Sequence, residues 1–137
     1  MKTIYRLALA AAALLGASAG FAAPPANLAG TTWTVQANRS SEQLVITNQG
    51  GPGAPGALTC RVIVATIGIA PVRGWYCAAT GRIHLLHKNL DSGLTVRVFS
   101  GHVSDEVIGQ PLYMAGTLAI HNAVFGDLGE YNFSAVN

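Results

Sequence analysis

Four histidines, six carboxylates, two cysteines and a Ser100-Gly101-His102 run are the residues of this chain whose types could do chemistry. A catalytic zinc needs three convergent ligands. His84 and His87 lie three apart, so on a strand they point to opposite faces. A hairpin turning at Asp91-Ser92 would place His87 near Val96 and His84 near Phe99, leaving His102 away from both. No trio converges, so no metal site is expected and the four histidines read as scattered surface or rim residues. The carboxylates do not pair either: Asp105 and Glu106 are loop neighbours, while Glu42, Asp91, Asp127 and Glu130 fall near strand ends or turns. They read as solvated turn residues rather than a general acid and base. Ser100 and His102 have nucleophile and base types, but nothing in the pattern orients the base. The expectation is no catalytic residue, no metal and no cofactor, and hence a non-enzymatic protein.

The chemistry that the spacing does support is a disulfide. Two apolar, β-branched runs, Val62 to Ile67 and Ala70 to Tyr76, flank Gly68-Ile69, and Gly at the first central position suits a two-residue type II′ turn. The register then sets Ile67 against Ala70, Ile63 against Gly74 and Cys60 against Cys77. The cysteines land on a non-hydrogen-bonded pair, where Cα atoms sit about 4.5 Å apart and a cross-strand bridge fits.

A bridge requires an oxidising compartment, and the N-terminus supplies the route. Lys2 and Arg6 precede an apolar run from Leu7 to Leu15, followed by small residues up to Ala23 and then Pro24-Pro25. This is the pattern of a secretory signal peptide over residues 1–22, with the cut expected after Ala22 and Ala19 as the second choice. The run is shorter than the roughly 20 residues of a membrane span. Residues 23–137 are expected as one domain, secreted or periplasmic, without a membrane span after cleavage. Without Lys2 and Arg6, the eight basic residues become six, against six acidic ones. A near-neutral chain offers no electrostatic footprint for nucleic acid.

The elements that must position these residues alternate with period two. Thr31 to Asn38 places Trp33, Val35 and Ala37 on one face, and Glu42 to Asn48 does the same with Leu44 and Ile46. The stretch from Gln49 to Gly56 reads as a mobile Gly/Pro loop, without the Lys-Ser/Thr ending of a phosphate loop. The bridged hairpin follows, then Arg82 to Lys88, Leu94 to Val103, Leu112 to His121 and Glu130 to Val136. No helical stripe occurs outside the signal. Eight closely spaced strands with short turns predict an all-β, eight-stranded antiparallel up-and-down barrel.

Leu28-Ala29-Gly30-Thr31-Thr32-Trp33 and Val98-Phe99-Ser100-Gly101-His102-Val103 resemble the opening Gly-x-x-Trp and the aromatic-Ser/Thr-Gly strand of the avidin and streptavidin group within the wider calycin barrels. The resemblance implies the barrel. It does not carry biotin binding, because the seventh strand, Met114 to Leu118, has no tryptophan where that group places one.

Parity on the hairpin gives one face to Ile63, Ala65, Ile67, Val72, Gly74 and Tyr76, expected inward. The other face carries Trp75 with Val62 and Val64, an outward apolar patch expected at a homodimer interface. For function, Trp33, Tyr131 and Phe133 are the expected ligand-binding residues, walling a small, largely apolar ligand opposite the small side chains of the sixth and seventh strands. The alternative for the interior is that these rings simply fill it. The alternatives for the protein are a secreted inhibitor or interaction protein acting through its loops, or a structural or assembly subunit. An eight-stranded outer-membrane barrel is a weaker fourth reading, since aromatic girdles and a long extracellular loop set are missing.

Overall fold

A computed structural model describes residues 22–53, 59–88 and 95–137. Within them the chain forms eight strands: β1 (Thr32–Ala37), β2 (Ser40–Pro52), β3 (Cys60–Ile67), β4 (Ala70–Cys77), β5 (Arg82–Lys88), β6 (Thr95–Val103), β7 (Tyr113–Asn122) and β8 (Gly126–Val136). Each pairs antiparallel with its sequence neighbour, and β1 pairs with β8 from Thr34↔Val136 to Ala37↔Phe133, closing the barrel. This is the expected up-and-down architecture. The signal segment and the Leu90 to Gly93 turn lie outside the described residues, the signal's last residue, Ala22, excepted.

The central hairpin has the register read from its turn. Gly68 takes φ 58°, and Ile67↔Ala70, Ile63↔Gly74 and Cys60↔Cys77 are Cα partners. The cysteines are bridged, with Cα atoms 4.0 Å apart. Parity also holds: Ile63, Ala65, Val72 and Tyr76 are buried in the core, while Val62, Val64 and Trp75 face outward and are half-buried.

Two boundaries differ from the sequence reading, and turn chemistry explains both. Asn38 and Arg39 each adopt positive φ, 44° and 64°, making a two-residue turn that brings β2 in at Ser40. β2 then runs on through Gly50 and Gly51 to Pro52, into the stretch read as a mobile loop, because register shifts at Ile46/Asn48 and Gly50/Pro52 absorb the extra residues. The rest of that stretch, 54–56, lies outside the described residues. At the other boundary, the Asn122 side chain accepts from the backbone N–H groups of Val124 (2.8 Å) and Phe125 (3.1 Å). That side-chain turn is tight enough for β8 to begin at Gly126 rather than Glu130.

One end of the barrel is sealed by residues 23–31. Leu28 is fully buried, the Tyr76 hydroxyl donates to the Pro25 carbonyl at 2.7 Å, and Gln49 accepts from the Leu28 N–H while donating to the Ala26 carbonyl, both at 2.9 Å. Burial, with Glu106 nearby, pushes the Tyr76 hydroxyl pKa up to about 12. The turns 38–39, 68–69 and 123–125 define the opposite end, which is the mouth.

Candidate functional site

Inward positions change character along the barrel axis. Val35, Leu44, Ile67, Leu85, Phe99, Met114 and Phe133 meet in the middle and leave no room for a water-sized guest. Phe99 and Phe133 stack edge to face, centroids 5.3 Å apart. Toward the mouth the walls remain apolar at Val35, Phe99, Leu118 and Ile120, but Asn38, Ser40, Glu42 and Arg97 join them around a cavity of about 80 Å³.

Glu42 and Arg97 form the polar feature of this mouth. Arg97 Nη1 donates to both Glu42 carboxylate oxygens, at 2.8 and 2.7 Å. The two side chains come from β2 and β6, four strands apart in a ring of eight, so the pair crosses the lumen from wall to wall. Each remains about 30% exposed, which keeps it within reach of solvent. His87 on β5 lies beside this bar, its backbone paired with Arg97 on β6 and with Val72 on β4. It is only 5% exposed, and neither ring nitrogen has a hydrogen-bond partner. Burial first, then the Arg97 charge, lowers its pKa, with Glu42 opposing; the ring is therefore held neutral in an apolar setting.

Comparison with protein-family models, with curated proteins and with solved structures found no match for this chain.

Trp33, Tyr131 and Phe133 do not share one pocket. Trp33 is fully buried toward the sealed end and donates from Nε1 to Thr31 Oγ1 at 2.7 Å. Phe133 pairs with Ala37, four residues further along β1, which is roughly 13 Å at strand rise. The half-buried Tyr131 lies beyond, its hydroxyl donating to the Leu128 carbonyl at 3.1 Å. The three rings are strung along the axis, and of the three only Phe133 reaches the packed middle.

Other side chains also sit differently from their sequence reading. Glu42 is not a solvated turn carboxylate but an inward member of an ion pair. His87 is not a surface or rim histidine but a core one. Parity held the clue for both: Glu42 shares a face with Leu44 and Ile46, and His87 shares one with Ile83 and Leu85. The β5–β6 register runs one residue from expectation, with His87 opposite Arg97 and His84 opposite Ser100. His84 Nδ1 and Ser100 Oγ are 3.0 Å apart, so Ser100 pairs with His84 rather than His102. The His84 ring stacks on Trp75 (centroids 5.5 Å, planes 18° apart), and no Asp or Glu occurs in β3 to β7 to orient it. Among the described residues, no group of three potential metal ligands converges.

Proposed function

We propose that this chain is an exported, non-enzymatic barrel that binds a small ligand at its mouth, with the ligand's apolar body on Val35, Phe99, Leu118 and Ile120 and a polar end at the Glu42–Arg97 bar. The single observation that carries this reading is the cavity beneath that bar, the place where apolar walls and convergent polar groups meet around open space. Its 80 Å³ is about half of a 150 Å³ cavity that takes benzene. A ligand larger than a few heavy atoms must therefore displace the bar. Biotin does not suit this interior, because Met114 and Leu118 are buried on β7 where a ring wall would be needed.

Native mass spectrometry of the exported protein, followed by a thermal-shift screen of small apolar acids and alcohols with biotin as a comparison, tests the proposal. A retained or stabilising ligand whose effect is lost in Ile120→Trp, which fills the mouth, is the expected result. No ligand in either measurement, or one indifferent to Ile120→Trp, overturns it.

A second reading, interaction through loops, is favoured by the turn tips around the same mouth: Ile69 is 89% exposed, Val124 66% and Phe125 78%. Such tips suit a protein partner. A stoichiometric partner lost in Phe125→Ser, with no small-molecule effect, would favour it. Self-association through Val62, Val64 and Trp75 draws on a patch interrupted by Arg82, whose guanidinium lies 5.9 Å from the Trp75 ring centroid, and by His84. Sedimentation of wild type and Trp75→Ser tests that contact.

A further inference from the structure

The near-neutral charge of the chain conceals an uneven wall. β3 to β7 contain no Asp or Glu, while Arg73, Arg82, His84, Lys88 and His102 alternate onto their outer side. Strand pairing lines up Trp75, His84, Ser100 and Thr117 in one cross-strand row, with Arg82 opposite His102 in the next. Between them lies an open groove of about 260 Å³, walled by Trp75, Arg82, His84 and His102 and floored by Ser100, Thr117 and the backbone of Gly101 and Gly116. It lies on the outside of the barrel, away from the mouth.

We infer that this groove binds an acidic saccharide, with a sulfate or carboxylate group held by Arg82 and His102. Three features select that class. Guanidinium and imidazole donors match an oxyanion, and no carboxylate in the five strands opposes it. The Ser100 and Thr117 hydroxyls offer the neutral hydrogen bonds that sugar hydroxyls use. The Trp75–His84 stack supplies a rigid aromatic edge for a ring's apolar side. The groove lies on a strand wall with no apolar loop tip among its lining residues, so it has nothing to insert into a lipid surface.

The two tryptophans make the test direct, because Trp33 is fully buried near the sealed end and Trp75 lines the groove. The exported protein is titrated with a sulfated oligosaccharide, its desulfated counterpart, inorganic sulfate and anionic phosphatidylglycerol vesicles, following tryptophan fluorescence and calorimetry. The sulfated sugar is expected to bind and change the Trp75 emission, with affinity falling between about 50 and about 300 mM salt as screening grows. Arg82→Gln, His102→Gln and Thr117→Val should each weaken it, Arg82→Gln by about tenfold, the loss of one charge-assisted hydrogen bond. Arg97→Met at the mouth should leave it unchanged, which separates this site from the proposed ligand cavity. Circular dichroism melts confirm that the variants fold. Equal binding of the desulfated sugar, binding of inorganic sulfate as tight as that of the sugar, preference for vesicles, or indifference to Arg82→Gln in a folded variant would each overturn the inference.

Discussion

His87 is a buried imidazole with two unsatisfied nitrogens, and its environment makes stability depend on pH in a definite direction. The groups facing it are Arg97 from β6 and Glu42 from β2, with apolar Val72 beside it on β4. Because its folded pKa is lowered, the unfolded chain takes up a proton near pH 6.5 while the folded chain still resists one. Stability from this difference is complete above about pH 6.5 and is lost as pH falls toward the lowered folded value. His87→Leu removes both the titration and the orphan nitrogens. Thermal melts at about pH 7.5 and about pH 5.5 should therefore show a smaller pH-induced drop in the variant than in wild type. An identical drop in the two proteins would show that His87 does not govern acid sensitivity.

At the level of the elements, three inward glycines let the strands lie as close as they do. A Cβ on Gly74 would collide with the His84 carbonyl oxygen, one on Gly101 with that of Ala115, and one on Gly116 with that of Ser100. Gly101 and Gly116 are paired with each other across β6 and β7, so any side chain there would push two strands apart. These obstacles are backbone atoms, which cannot rotate away. Gly116→Ala is accordingly expected to cost about 1–3 kcal/mol in urea unfolding, the range for overpacking a tight core. Gly50→Ala, whose added Cβ meets nothing within 4 Å, should be neutral within about 0.5 kcal/mol. Equal effects at the two positions would contradict the close approach.

Across the whole molecule, the Glu42–Arg97 bar ties opposite walls of the barrel at its mouth, much as the segment 23–31 ties the other end. At about 30% exposure it lies between a surface pair worth under about 1 kcal/mol and a buried one whose breakage costs about 3–5. Arg97→Met alone should therefore destabilise by about 1–3 kcal/mol, since it leaves Glu42 without its cation inside the lumen. Glu42→Gln with Arg97→Met should recover most of that loss, as the barrel no longer holds a lone charge. Chemical denaturation of the two single variants and the double variant checks this as a cycle. Additive losses would mean that the two ends of the bar act independently.

Local sequence determined the hairpin and its bridge completely. A two-residue turn at Gly68 fixes the pairing sum, and with period-two parity that sum dictates both Cys60↔Cys77 and the inward set from Ile63 to Tyr76. Strand number and class were legible for the same reason, because alternation and turn residues act over a few positions. What lay beyond local reach was everything set by residues distant in sequence. Glu42 and Arg97 are 55 residues apart, and only barrel closure puts them across one lumen. The outer basic wall gathers charges that look scattered along the chain, because antiparallel pairing stacks alternate residues of successive strands into rows. The interior filled in the middle and opened at the mouth because cavity volume depends on how side chains from all eight strands mesh. Ring types at Trp33, Tyr131 and Phe133 say nothing of their heights along the axis, which the β1–β8 register alone decides.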